Sequence, residues 1–223
     1  VINSINLEDG ETRAHEICRL AKRYGAGLVA LTIDEKGMAL TVEKKVEVAK
    51  RIYDIAVNQH GLHPQDLIFD ALTYTLGSGD ESMKDSGINT LNGIKAIKTE
   101  LPGVFTILGV SNVSFGLNPY SREILNSVFM AEAITAGLDM AIVNVKKIIP
   151  LYKVDELDVE KCMNLIYNRG PEQPLFDFIR HFDEKAGKQI EAQVEDETLP
   201  VDEKIKAKVI QGNRSGLEPL LMG

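Results

Sequence analysis

The segment from Leu108 to Gly116 is an apolar run that ends abruptly in polar side chains, among them Ser111 and Asn112. An asparagine amide can donate a hydrogen bond to a ring nitrogen or accept one from a ring N–H. If the run is a buried strand, these groups lie at its carboxyl end, where a ligand can reach them. Serine and asparagine also cap helices that follow strands, and the spacing alone leaves both interpretations open.

A carboxylate, Asp70, ends a second apolar run that begins after Asp66. A carboxylate at the end of a buried strand is costly unless it meets paired N–H donors or a cation. The alternative is a loop aspartate that accepts backbone N–H groups. Asn3 and Asn6 lie in the opening run and Asn144 ends the last one, so they are candidates for the same site.

Two further charged groups lie close to these runs. Asp34 and Glu35 form an acidic turn after an apolar run, and we predict a solvated turn rather than a binding site. Arg122 follows the asparagine loop and can meet a carboxylate or a phosphate, or lie free on the surface.

The four histidines have no partner at metal-ligand spacing, and the sequence holds no hydrolase triad, P-loop or zinc motif. We therefore predict no metal site.

Short apolar runs alternate with longer amphipathic patterns along the first part of the chain. Predicted strands cover 1–5, 27–33, 66–69, 104–110 and 138–143, and predicted helices cover 11–24, 42–60, 83–100 and 121–136. The strands are apolar without alternation, which is typical of parallel strands covered on both faces. Spacings of about 30 to 40 residues from strand to strand fit repeated βα units.

Two α/β architectures accommodate five βα units: an open doubly wound sheet, or a TIM-type (β/α)8 barrel represented by its last five units. The glycine-rich turn that a dinucleotide-binding sheet needs after its first strand is absent from the sequence. The candidate polar residues recur where predicted strands end, which is where barrel enzymes hold their catalytic groups. The barrel is therefore favoured, and the opening on a strand at Val1 suggests an N-terminal truncation.

Beyond Pro150 the pattern changes to helices. Helices are predicted over 155–168 and 173–185, followed by an acidic linker over 193–200 and the start of an amphipathic helix from Val201. We predict a truncated barrel domain over 1–190. Residues 191–223 are predicted to form a linker and the first helix of a second, helical module.

Composition limits the classes of partner. The 223 residues carry 25 Lys and Arg against 33 Asp and Glu, a net charge of −8, without a dense basic patch. This balance argues against nucleic acid and anionic membrane surfaces, and no apolar run approaches the length of a membrane span. Two cysteines, Cys18 and Cys162, lie far apart and make no metal spacing. A cytoplasmic protein with reduced cysteines is the expectation.

Taken in order, five segments resemble the pterin-binding domains of cobalamin-dependent methionine synthases and of methyltetrahydrofolate:corrinoid methyltransferases. They are Val1 to Ile5, Leu31 to Gly37, Asp66 to Asp70, Gly109 to Gly116, and Ala136 to Asn144. The resemblance implies a (β/α)8 barrel in which Asn3 lies on the fourth strand and Asn144 ends the eighth. It also implies that the first three strands, with a further pterin-facing carboxylate, are absent. The segment after Leu199 is similar to the opening helix of the module that caps cobalamin.

The resemblance also implies roles for individual residues. Asn3 and Asp70 would hold the polar edge of the pterin. Asn112 is the expected catalytic residue, and with Ser111 beside it would lie near the ring nitrogen that carries the methyl group. The further substrate-binding residues are Phe115, Arg122 and Asn144.

The implied activity is that of a methyltransferase that presents methyltetrahydrofolate to a cobalamin held by a neighbouring module, on the way to methionine. Two alternatives stay open. A dihydropteroate-synthase-like pterin enzyme would need a pyrophosphate site, for which Lys146 and Lys147 are candidates. A partial barrel without activity is the other alternative, because five of eight strands leave two open edges.

Overall fold

The computed structural model describes residues 1–170, 173–194, 200–202 and 205–206. The chain divides into two compact units, Val1–Phe178 and Ile179–Gly223. All of the candidate site residues belong to the first unit. The architecture of that unit therefore decides how they are positioned.

In chain order the strands are β1 (Ile2–Ile5), β2 (Leu28–Leu31), β3 (Ile33–Asp34), β4 (Gly37–Met38), β5 (Leu67–Asp70), β6 (Phe105–Gly109) and β7 (Met140–Ile142). The α-helices are α1 (Thr12–Tyr24), α2 (Val42–Tyr53), α3 (Ser86–Glu100), α4 (Pro119–Ala136), α5 (Glu156–Ile166) and α6 (Pro174–Val194). One parallel sheet contains β1, β2, β5, β6 and β7 in that order, and β3 pairs with β4 as a short antiparallel hairpin.

The order of the strands in the parallel sheet is their order in the chain. Every neighbouring pair is parallel, and a helix connects each strand to the next. A doubly wound sheet reverses its order at a switch point, whereas a barrel adds each strand beside the previous one. The fold is therefore a partial TIM-type barrel of five consecutive βα units, which confirms the prediction.

Local sequence signals set where several helices begin and end. Gly25 and Gly137 follow α1 and α4 with positive φ angles of 62° and 109°, a left-handed conformation that glycine adopts without strain. Each glycine therefore ends its helix. Thr41 caps α2 by accepting a hydrogen bond from the backbone N–H of Lys44 at 3.3 Å, as short hydroxyl side chains do at helix starts.

Two predicted elements of the barrel region differ in kind or extent from the observed ones. The strand predicted over 27–33 ends at Leu31, because the chain then turns at Gly37 into the β3–β4 hairpin. The helix predicted over 42–60 is α-helical only as far as Tyr53 and continues as a π-helix. Apolar periodicity does not distinguish a long strand from a shorter one followed by a hairpin, or an α-helix from a π-helix. In each pair, both structures keep the same side chains buried.

The core lies between the sheet and the helices that cover it. Phe69 of β5, Ile52 of α2, Ile94 of α3 and Phe129 of α4 are fully buried. The edge strands are different: Ile142 of β7 is 57% exposed. Within the described part of the chain neither β1 nor β7 has a second strand partner, so the barrel is open on both sides.

The predicted C-terminal linker and cap-like helix fall mostly on 195–199 and 207–223, which lie outside the described residues. Helix α6 runs to Val194, beyond the end predicted at residue 185. The division into domains at residues 190 and 191 stays a prediction.

Among the described residues, no helix combines the length and the apolar character needed to cross a membrane. Cys18 and Cys162 are buried free thiols. Burial raises the pKa of Cys18 to about 11, so its thiol stays protonated at neutral pH.

Candidate functional site

Four candidate residues lie at or just after the carboxyl ends of neighbouring strands. Asp70 is the last residue of β5, Ser111 and Asn112 lie in the 3-10 turn that follows β6, and Asn144 comes two residues after β7. Because these strands are parallel and adjacent, their carboxyl ends meet at one edge of the sheet. This is the edge at which barrel enzymes hold their active sites.

Asn3 lies within β1 rather than after it. It is level with Val29 of β2, and Val29 is level with Ile68 of β5. Asn3 is therefore two residues short of Asp70 along the sheet, and it is exposed. Asn3 and Asp70 lie on strands that are separated only by β2. Among the described residues, no hydrogen bond joins the two.

Asp70 is buried, with 9% of its surface exposed. Its Oδ1 accepts a hydrogen bond from the backbone N–H of Leu72 at 2.9 Å, as the loop-aspartate alternative expected. Its neighbours across the sheet are Leu31 and Ile107, both apolar. Burial raises the pKa of Asp70 to about 6, while the Leu72 N–H and the charge of Lys45 lower it. The carboxylate is therefore ionised at neutral pH, at a cost that a ligand with N–H donors would offset.

Lys45 is the charged side chain that lowers the pKa of this carboxyl group, and it was not among the predicted site residues. Its Nζ donates hydrogen bonds to the backbone oxygens of Ala39, Ala71 and Leu72 at 2.8, 2.6 and 3.1 Å. Lys45 is only 2% exposed. Burial lowers its pKa to about 8, and the charge of Asp70 opposes that shift.

A signal for Lys45 was present in the sequence. Lys45 precedes Ala49, Ile52 and Ala56 at the spacing of one helix face, and these three side chains are all buried. A lysine on the apolar face of a helix either buries its charge or extends its ammonium group past the core to a polar site.

The loop after β6 carries its polar groups outward. Ser111, Asn112 and Phe115 are exposed, Phe115 by 68%. The asparagine amide lies over Gly109, since a Cβ at that glycine would stand 3.2 Å from the Nδ2 of Asn112. Helix α4 is capped by Asn118. The alternative that Ser111 and Asn112 serve as caps of this helix is therefore wrong.

Arg122 is held against this loop. Its Nε donates to the Oγ of Ser114 at 3.1 Å and its Nη2 to the backbone oxygen of Ser111 at 3.5 Å. Arg122 is partly buried, so the alternative of a free surface arginine is wrong.

A cavity of about 290 Å³ brings several of these side chains together. Its walls include three of the predicted residues, Ser111, Arg122 and Asn144, together with Asn126 and Lys147. Among the described residues, the Oδ1 of Asn126 is a buried oxygen without a hydrogen-bond partner. Sequence reasoning missed Asn126 because it lies mid-helix in α4, where polar residues are usually solvated.

A sequence profile described as "Pterin binding enzyme" matches residues 1–144, well over half of the chain. The chain belongs to the pterin binding enzyme family. TIM-type barrels characterise that family, in agreement with the sequential parallel sheet. All of the predicted site residues fall within the matched region, and Asn144 is its last residue.

Two relatives of this chain are named methionine synthase. The Mycobacterium leprae protein is 39% identical over 226 residues, which cover 98% of this chain. The Mycobacterium tuberculosis protein is 39% identical over 224 residues, which cover 97% of this chain. The chain spans about a fifth of the length of these relatives, 19% in each case.

The acidic turn is not solvated throughout, contrary to the prediction, because only Glu35 of its two carboxylates is exposed. Asp34 is 2% exposed, and its Oδ2 lies 2.6 Å from the Nζ of Lys44 and 3.8 Å from the Nη1 of Arg51. The hydrogen bond from Lys44 holds the pKa of Asp34 below its ordinary value. The first turn of α2 supplies this lysine, so the carboxylate joins the β3–β4 hairpin to the helix.

Proposed function

We propose that this chain supplies part of a site that binds 5-methyltetrahydrofolate for transfer of its methyl group to cobalamin. The observation that carries the proposal is the buried carboxyl group of Asp70 at the end of β5 in a family barrel, with the exposed amide of Asn112 following the neighbouring strand β6. The names of the two relatives support methionine synthesis as the overall activity.

Recognition of the pterin follows from its paired N–H donors. A carboxylate accepts two such donors side by side, and the bond gains strength where water is excluded. Asp70 is 9% exposed and has one oxygen already bonded to Leu72. Its second oxygen is the acceptor that we assign to the pterin, and the amide of Asn3 is assigned to the same edge.

Methyl transfer requires a better leaving group than a neutral tertiary amine. The ring nitrogen must gain positive character, so a hydrogen bond that strengthens as the methyl group departs lowers the barrier. We assign this bond to the exposed amide of Asn112, which is oriented by the turn at Gly109. A cobalamin held by a neighbouring module would supply the cobalt(I) nucleophile.

The remaining predicted residues are assigned to the rest of the substrate. Ser111, Arg122 and Asn144 surround one cavity, and the guanidinium of Arg122 is suited to a carboxylate of the folate tail. Phe115, exposed at the loop tip, offers a flat apolar surface to an aromatic ring. These four residues are proposed as substrate contacts.

Substitution of Asn112 by alanine tests the catalytic assignment. In the full-length protein we expect methyl transfer to slow by about tenfold or more, while the dissociation constant for 5-methyltetrahydrofolate changes by less than about threefold. Stopped-flow transfer rates and equilibrium folate binding measure the two effects separately. Asn92→Ala, at an exposed position of α3, is the matched control. An Asn112→Ala protein with a normal transfer rate would disprove the role.

The dihydropteroate-synthase-like alternative depends on a lysine free to bind pyrophosphate. Lys147 is paired with Glu123, with Nζ and Oε1 3.0 Å apart, whereas Lys146 is exposed, so this alternative stays open. Incubation of the full-length protein with a pterin pyrophosphate and 4-aminobenzoate decides between the reactions: we expect no condensation product, and product formation would replace methyl transfer as the assigned activity.

A further inference from the structure

Lys45 carries a charge in the interior of the protein, and the proposed reaction assigns it no role. The side chain is 2% exposed. An ammonium group has three N–H donors, and the backbone oxygens of Ala39, Ala71 and Leu72 accept from Nζ. Burial of a charge is costly even when its hydrogen bonds are satisfied.

The protein makes space for this side chain. A Cβ added at Gly93 of α3 would lie 2.6 Å from the Cδ of Lys45, closer than two carbon atoms approach. Glycine in a helix interior is itself unfavourable relative to alanine. The absence of a side chain at Gly93 therefore lets the Lys45 stem pass beside α3 on its way to the carboxyl end of β5.

The ammonium joins two loops at the mouth of the barrel. Ala39 follows the β3–β4 hairpin, while Ala71 and Leu72 follow β5. Leu72 has a φ of 55°, a left-handed conformation that is unfavourable for leucine and needs support from its surroundings. The N–H of this same Leu72 donates to Oδ1 of Asp70 at 2.9 Å. The contacts of Lys45 thus stabilise the peptide that orients the Asp70 carboxyl group.

We infer that Lys45 is a positioning residue for the pterin site: it holds the Ala71–Leu72 backbone so that Asp70 points to the pterin. The inference rests on the proposed function, in which Asp70 binds the pterin. The other groups packed against Asp70 offer it no charge, since its neighbours across the sheet, Leu31 and Ile107, are apolar. Lys45 is the one charged side chain that acts on the pKa of Asp70 among the described residues.

The test is the pH dependence of 5-methyltetrahydrofolate binding in the full-length protein, between about pH 5 and 9. For Lys45→Met we expect about a tenfold weaker affinity at neutral pH. The loss of binding on acidification should also begin at a higher pH, because Asp70 then takes up a proton more readily. Lys45→Arg keeps the charge and should keep the acid limb of the wild-type profile. Lys50→Met, at an exposed lysine of the same helix paired with Glu100, is the matched control.

A second pair of variants separates positioning from folding. Lys45→Ala leaves space beside Gly93, and adding Gly93→Ala fills part of that space and favours the helix. We expect the double variant to unfold at a higher temperature than Lys45→Ala, with no recovery of folate affinity. Recovery of affinity together with stability would overturn the inference, since Lys45 would then act only through packing.

Failure of the proposed function and failure of the positioning role of Lys45 give different results. Wild-type protein that does not bind 5-methyltetrahydrofolate would refute the proposed function, and the inference with it. Wild-type protein that binds, together with a Lys45→Met protein of unchanged affinity and pH profile, would overturn the positioning role alone.

Discussion

Burial and function make opposite demands on Asp70. Its environment of apolar neighbours raises its pKa to about 6, whereas recognition of N–H donors requires the ionised form. The backbone N–H of Leu72 and the charge of Lys45 offset part of the cost. A carboxylate whose burial destabilises the ligand-free protein is expected in ligand sites rather than in structural ion pairs.

Asp70→Asn should abolish the pH dependence of pterin binding. We expect 5-methyltetrahydrofolate affinity to fall by about tenfold or more at pH 8, because the amide keeps the size of the side chain and loses its charge. Wild-type affinity should decrease as the pH falls through about 6, where Asp70 takes up a proton. Titration calorimetry across this range measures both effects. Asp66→Asn, just before the start of β5, is the control, and an equal loss there would contradict the assignment.

The same substitution should stabilise the fold at high pH. The folded pKa of Asp70, about 6, lies above its ordinary value of 3.8, so the stability that wild-type protein has at low pH is lost as the pH rises through 6. Asp70→Asn should therefore be more stable than wild type at pH 8, by about 3 kcal/mol, and close to it near pH 4. Thermal unfolding at the two pH values is the measurement. A variant that is less stable than wild type at both pH values would contradict the view that the ionised Asp70 carboxylate destabilises the fold.

At the scale of elements, the contacts between helices override helix propensity. Gly87 lies in the first turn of α3, where alanine would normally be preferred. A Cβ at this position would stand 2.6 Å from the backbone oxygen of Ile166, at the end of α5. Backbone atoms move less easily than the end of a side chain, so this contact requires glycine.

Gly87→Ala should lower the free energy of unfolding by about 1–3 kcal/mol, the usual cost of overpacking. Propensity alone would predict a gain of about 1 kcal/mol, so the sign of the change is diagnostic. Asn92→Ala on the exposed face of the same helix should leave stability unchanged or slightly higher. Chemical denaturation of the three proteins provides the comparison, and a stabilised Gly87→Ala protein would mean that α3 and α5 separate readily.

At the scale of the whole molecule, the sheet ends in two strands that lack a second partner among the described residues. Exposed edge strands promote association between chains, and apolar residues make such association stronger. Ile142 of β7 is 57% exposed and Val145, just after it, 79%. A complete barrel has no edges, so the open sides are where further strands would pair.

The 223-residue chain by itself should therefore self-associate and bind little folate. We expect sedimentation to show species larger than a monomer at micromolar concentration, and calorimetry to show little or no heat with 5-methyltetrahydrofolate. Ile142→Lys should reduce the association, because a charge on an edge strand opposes pairing. Ile134→Lys, at an equally exposed position on α4, should not. A monomeric chain that binds folate tightly would contradict this view.

The sequence by itself determined the βα alternation, the barrel class and the family. These follow from local properties: apolar runs mark strands, helix stops such as Gly25 and Gly137 mark boundaries, and polar residues recur where strands end. The positions of Asp70 and Asn112 at one edge of the sheet were predictable for this reason, since parallel neighbouring strands align their carboxyl ends.

Only the tertiary structure decided which charges are buried and what they contact. Asp34 was predicted to be solvated, yet it is paired with Lys44 from the next helix. Lys45, one residue further, reaches backbone oxygens more than 25 positions away in the chain. Burial and pKa depend on groups that are close in space but distant in sequence. Local pattern therefore places the residues of this site at the correct edge, while packing determines how Asp70 is oriented and charged.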